Sequence, residues 1–232
     1  DNMAVSGSKN FELDVAEYIE EAFERCGLEL RTAYDLKTAK RSLNLLLAEW
    51  ANRGLNQWTI SQTSIALTQG TTSYDLDATN PTAVIDVLDA FIRRTTNGTP
   101  SDLQMNQISR SEYAAIPDKT AQGRPSQYFV DKQITPTIYL YNAPENSTDV
   151  LYVNRIMRMD DVDASTDTLQ MPFRFYPCLS AGLAYYLSLK KAPERTGMLK
   201  QLYEEEFERA LSQDEDRASF RATPDTRAYD YA

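Results

Sequence analysis

The stretch MPFRFYPCLSAGLAYYLSLKKAPER, residues 171–195, carries no charge between Arg174 and Lys190, in a chain of which 25% of the residues are charged. Pro172 suits the first position of a helix, and Pro177 is compatible with its first turns, so the helix starts at one or the other. Along it, Phe173, Phe175, Leu179, Leu183, Tyr186, Leu187 and Leu189 place apolar side chains on more than one face. A helix of that kind is buried all round, in the core of its own chain or between subunits. Ser180, Ala181, Gly182 and Ala184 leave room for a neighbouring helix to approach closely. The stretch is too short and too punctuated for a membrane span, which needs about 20 apolar residues.

Other helices frame this one. Asp14 with Glu17 three residues on is a capping-box arrangement, followed by Val15, Ile19, Ala22, Phe23 and Cys26 at helical spacing and by Gly27 as the stop. A second helix is expected to open at Asp35, with Leu36, Ala39, Leu43, Leu46, Leu47 and Trp50 as its apolar stripe, widened by Leu45, and Gly54 at its close. Pro193 opens the last helix. Met198, Leu199, Leu202, Tyr203, Phe207 and Leu211 form one side of it, and Glu204, Glu205, Glu206, Glu208, Asp214, Glu215 and Asp216 the other.

Between these helices the texture changes. WTISQTSIALTQGTTSYDL alternates and has a Gly-Thr-Thr-Ser centre, which reads as a hairpin entered at Trp58. AVIDVLDAFIRR is a strand with Val84, Val87 and Phe91 among its apolar residues, broken by NGTPSD. SRSEYAAI reads as one or two helical turns ended by Pro117. QGRPSQYFVDKQ, PTIYLYNAP and DVLYVNRIMRM read as three further strands rich in Tyr, Val and Ile. The fold class is α+β: a helical bundle from residues 12–57 and 172–219, an inserted antiparallel β domain at 58–160, and an extended tail at 220–232.

Composition limits the chemistry. The formal charge is -10 and the pI about 4.6, which excludes a general nucleic-acid binder, since that needs a basic stripe to displace counterions from phosphates. There is no histidine, the commonest general base and transition-metal ligand. No glycine-rich phosphate loop appears, so no nucleotide cofactor is expected. Cys26 and Cys178 lie far apart with no CxxC, and read as two buried thiols, with a disulfide as the alternative. Residues 1–14 lack the apolar core of a signal peptide. The acids of YEEEFE and MDDVDASTD leave a carboxylate-dependent hydrolase as one alternative. The second group resembles a calcium loop but lacks its ligand spacing, central glycine and terminal glutamate. Asn97-Gly-Thr and Asn146-Ser-Thr match the glycosylation sequon and read as turns. The aromatic residues of the β region leave a carbohydrate- or receptor-binding β domain as the other alternative, beside ordinary cross-strand pairing. No catalytic, cofactor-binding or metal-binding residue is assigned.

Three stretches together carry a family resemblance: TAKRSLNLLLAEWANRGLNQWTI, ISRSEYAAIPDKTAQGRPSQYFVD and the opening stretch MPFRFYPCLSAGLAYYLSLKKAPER. Over roughly residues 12–220 the chain resembles the head-to-tail adaptor proteins of short-tailed bacteriophages, the tail tubular protein A type. The resemblance implies a structural virion protein at the head–tail junction, assembled in the host cytoplasm, and not an enzyme. It implies a homo-oligomeric ring, commonly of twelve copies, between the portal protein and the tail nozzle protein, with DNA passing through the lumen without specific binding. The helices would form the ring body, the β domain would project toward the tail, and the C-terminal segment would reach the portal. On that footing Phe220, Arg221, Arg227, Tyr229 and Tyr231 are the expected portal contacts. Glu204, Glu205 and Glu208 are the expected lumen-facing acids, repelling phosphate. Phe173, Phe175, Leu179, Leu183, Tyr186 and Leu187 are the expected core or subunit packing.

Overall fold

The computed structural model describes residues 11–54, 57–169 and 171–214. Helix α1 (Val15–Arg25) opens with a complete capping box. The Glu17 N–H donates to Asp14 Oδ1 at 2.8 Å, and the Asp14 N–H donates to Glu17 Oε2 at 2.9 Å. The N–H groups of Val15 and Ala16, which no helical partner can satisfy, donate to the carbonyls of Asp167 and Ser165. At the far end Gly27 takes a φ of 73°, and the N–H groups of Leu28 and Gly27 fold back onto the carbonyls of Phe23 and Glu24, a Schellman ending.

Helix α2 (Ala33–Asn52) starts earlier than Asp35. Thr32 is the cap, its hydroxyl oxygen accepting the Asp35 N–H at 3.1 Å, and Asp35 lies in the first turn. A threonine hydroxyl placed three residues ahead of that N–H meets the capping requirement before the carboxylate can.

A 3-10 turn (Gln57–Thr59) leads into β1 (Ile60–Ala66), β2 (Ser73–Asp75), β3 (Val84–Thr96), β4 (Thr99–Gln104) and β5 (Asn106–Gln107). Then come the short helix α3 (Arg110–Ala115) and β6 (Gln122–Gly123), β7 (Gln127–Asp131), β8 (Thr137–Tyr141), β9 (Ala143–Pro144) and β10 (Val150–Met157). One sheet has the order β1-β10-β3-β4, a second β2-β8-β7-β5, and β6 pairs with β9. Leu151, Val153 and Ile92 of the first sheet share a core with Tyr128, Ile138 and Leu140 of the second, so the two are packed face to face.

Several local expectations are corrected. Residues 60–75 do not form a hairpin: β1 pairs with β10, and β2 pairs with β8 in the other sheet. Alternation reports that a strand has two faces, and says nothing of its partner. The hairpin lies instead at Asn97-Gly98, where both residues have positive φ, 51° and 81°, and Thr96 faces Thr99 across a two-residue turn. NGTPSD therefore turns the chain into β4 and does not end the pairing. Trp58 stays in the 3-10 turn, its ring 4.5 Å from that of Phe175 in the helical core. The sheets are antiparallel except for β5 beside β7 and β6 beside β9, which run parallel.

The opening stretch becomes a 3-10 turn (Phe173–Phe175) followed by α4 (Tyr176–Lys191), with Pro177 in its first turn. Helix α5 (Thr196–Asp214) follows a further 3-10 turn at Pro193–Arg195. Every residue of α4 from Cys178 to Ala184 is buried, whichever side of the helix it occupies. The reason is that α4 packs against α1, α2 and α5 together. Gly182 is the closest point: a Cβ there would stand 2.9 Å from both Leu46 Cδ2 and Tyr203 Cε2.

Gly182→Ala should therefore lower stability by about 1 kcal/mol, an overpacking cost of about 1–3 kcal/mol partly offset by the roughly 1 kcal/mol that alanine gains in a helix. Gly182→Val should lose about 3 kcal/mol or more. Urea unfolding followed by circular dichroism measures both. Stability unchanged or raised in Gly182→Val, or raised in Gly182→Ala, would contradict the packing.

Candidate interaction site

The outer end of α2 meets α5 through one arginine. Arg53 donates from both terminal nitrogens to the Glu204 carboxylate, at 2.7 and 2.9 Å, and is also ion-paired with Glu49. Its guanidinium lies 4.4 Å from the centre of the Phe207 ring. Beneath it the Trp50 indole N–H donates to the Tyr203 hydroxyl at 2.9 Å, and that hydroxyl donates to Glu49 at 2.7 Å. The hydrogen bonds from Arg53 hold the Glu204 carboxyl below its usual range, and burial pushes the Tyr203 hydroxyl far above its own.

Of the three acids expected to face a lumen, Glu204 is thus clasped to α2. Glu205 is exposed and accepts from Gln201 at 2.9 Å, and Glu208 is exposed. Of the residues expected to pack, Phe175, Leu179, Leu183 and Leu187 are buried and Tyr186 is half-buried. Phe173 is 78% exposed and stands outside the core of this chain, because the 3-10 turn points it away from the helices. Met198, placed by its spacing on the apolar stripe of α5, is 64% exposed. Phe220, Arg221, Arg227, Tyr229 and Tyr231 lie outside the described residues.

The outward face of the first sheet carries a cluster that the sequence reading did not single out. The Phe91 and Tyr152 rings stack across β3 and β10, with centres 5.1 Å apart and planes 2° from parallel. The Arg93 guanidinium lies 4.6 Å from the centre of the Tyr152 ring and is held there by Asp102 of β4 at 2.7 Å. One step along the face, Gln62 donates to Asn154, which donates to Asp89. Phe91, Tyr152 and Arg93 are half-buried in this face, and aromatic rings with an arginine are the composition of protein–protein contact surfaces. A signal was available: Phe91 and Arg93 alternate with the buried Ala90 and Ile92. Grouping Phe91 with Val84 and Val87 hid it, because register shifts at Asn154/Arg155 and Ile156/Met157 change which residues of β3 face inward.

Two further arginines hold the β region together. Arg94 binds Asp149, 2% exposed, by way of Nε and Nη2, and reaches Glu145 at 2.6 Å. Arg124, from the Gly-Arg-Pro turn, donates to the carbonyls of Ile92 and Ser101 and so ties the second sheet to the β3–β4 hairpin. The hydrogen bonds from Arg94 hold the Asp149 carboxyl below its usual range.

The acidic connector at 159–167 is occupied structurally. Asp167 Oδ2 accepts the N–H groups of Asp163 and Ala164, Asp161 pairs with Arg158, and Asn44 exchanges hydrogen bonds with the Val162 backbone. A cleft of about 420 Å³ runs beside it, lined by Asp160, Asp161 and Asp167 among others. Among the described residues no group of three or more His, Cys, Asp or Glu could hold a metal ion. Neither is any described helix long and apolar enough to cross a membrane. Cys26 and Cys178 are free and buried, and burial pushes both thiols up.

Helices packed around α4, which is buried from Cys178 to Ala184, with a two-sheet region between them, define a mixed α+β component. A family model described as the SU10 adaptor protein matches residues 13–228. The chain belongs to this family of phage head-to-tail adaptors, and is a structural component of a phage virion. No curated protein matches it. Family membership implies contact with other virion components such as portal and tail.

Arg94→Ala should cost about 3 kcal/mol at neutral pH, because it strands a buried carboxylate. A lowered folded-state pKa means that the unfolded chain binds more protons. The contribution of Asp149 is therefore complete above its usual value of 3.8 and lost as pH falls through the lower folded value. Urea midpoints at pH 7 and at about pH 3 should differ less in Arg94→Ala than in the wild type; an equal difference would count against the assignment.

Proposed function

We propose that this chain forms the ring that joins the portal to the tail nozzle, commonly of twelve copies, and keeps the DNA path continuous between them. The observation that carries the reading is the family match, which spans both helical ends and the β insertion between them. Residues 12–57 and 172–219 build the ring body, and the β domain at 58–160 projects toward the nozzle. The Phe91–Tyr152–Arg93 face is assigned to the nozzle contact on its composition. Residues 220–232 dock on the portal through Phe220, Tyr229 and Tyr231, with Arg221 and Arg227 pairing to carboxylates.

The acidic balance of the chain, -10 overall, supports a lumen that repels phosphate and lets DNA move without adhering. Glu205 and Glu208 are the acids for that role. Glu204 contributes less because its charge is matched by Arg53.

Negative-stain electron microscopy of the protein mixed with its portal tests the reading. A ring capping the narrow end of the portal is the expected result, and its symmetry gives the copy number. A portal left bare, with this protein monomeric or trimeric, overturns it. A chain ending at Ser219 should keep its helical circular dichroism and lose portal docking. Normal docking by that chain would refute the role of the C-terminal residues.

A further inference from the structure

Two surfaces on opposite counts of charge remain exposed in the helical part. Along α1 runs a groove of about 440 Å³ whose apolar end is formed by Phe11, Leu13, Tyr176 and Pro177. Its rim carries Glu20 and Glu24, both exposed and without an ion pair among the described residues, whereas Glu21 is matched by Arg25 and Glu17 is engaged in the capping box. The outward face of α2 is the complement. Tyr34 is 74% exposed and Leu45 54%. Between them Lys37 and Arg41 are exposed and have no ion pair among the described residues.

We infer that the α1 groove receives the outward face of α2 from a second copy of this chain. The two acids are four residues apart and so are the two bases, about 6 Å along each helix, so both charge pairs can form at once. Tyr34 and Leu45 stand about 16 Å apart and bracket the bases, so one of them reaches the apolar end of the groove when the charges meet. In a chain with a net charge of -10, a bare basic and apolar stripe selects an acidic-rimmed groove, and every copy supplies one. The groove and the stripe are different patches of one surface. Their union is therefore head to tail, the kind that closes into a ring when the rotation permits. The inference rests on the ring reading above and names the faces that close it.

The test reverses the charges in the full-length protein. E20K/E24K and K37E/R41E should each weaken assembly by about 100-fold or more, read by analytical ultracentrifugation and by ring counts on the portal. Circular dichroism should be unchanged, since all four side chains are exposed. An equimolar mixture of the two variants should restore rings with alternating copies, because each stripe then meets a groove of opposite sign. Wild-type assembly should also weaken as ionic strength rises beyond about 0.15 M. Variants that assemble like the wild type would overturn the inference and leave the ring reading standing. So would failure of the mixture to recover, which would assign the groove to another occupant. A wild-type protein that forms no ring even on the portal would overturn the ring reading itself, and this inference with it.

Discussion

The helical part of this protein depends on a missing side chain. At Gly182 the α4 backbone comes close enough to Leu46 and Tyr203 that a single added carbon would stand 2.9 Å from each. That approach lets α2 and α5 close on α4 from two sides while α1 takes another. Burial of Leu179, Leu183 and Leu187, each contributing about 1.5–3 kcal/mol, follows from the geometry that Gly182 permits. In the same core the Trp50 and Phe175 rings pack together, and Trp58 leans onto Phe175 from the turn that leads to the first sheet.

Arginines perform the second task, joining elements that apolar packing leaves at an angle. Arg53 joins α2 to α5, Arg94 joins β3 to the turn before β10, and Arg124 joins the second sheet to the β3–β4 hairpin. Each uses a planar group with several donors, which a lysine could not replace. In an acidic chain these cations are scarce and most are committed internally. The exceptions are informative: Lys37 and Arg41 are the bases that α2 turns outward with no partner among the described residues.

Where the sequence was legible, the reason was local. The capping box at Asp14 and the helical turns of SRSEYAAI are short-range patterns and appear where their letters stand. The uncharged run at 175–189 announced a surrounded helix, and α4 is buried on all sides from Cys178 to Ala184. Where it was illegible, the answer lay in pairing between distant segments. The strands at 60–66 and 73–75 look like two arms of a hairpin and belong to different sheets. The stacked pair of Phe91 and Tyr152 joins residues far apart in the chain, and register shifts disguised its period. Of the acids expected to face a lumen, Glu204 is neutralised by Arg53, and nothing near it in sequence announces this.

The sequence by itself determined the class of fold, the helix boundaries to within a few residues, the surrounded character of α4 and the family, because these rest on periodicity, caps and conspicuous local runs. Tertiary structure alone decided which strands pair, which exposed residues share a face, and which carboxylates are free. Those properties are set by segments that meet only after the chain has closed on itself, through hydrogen-bond registers and ion pairs that leave no periodic trace in either partner.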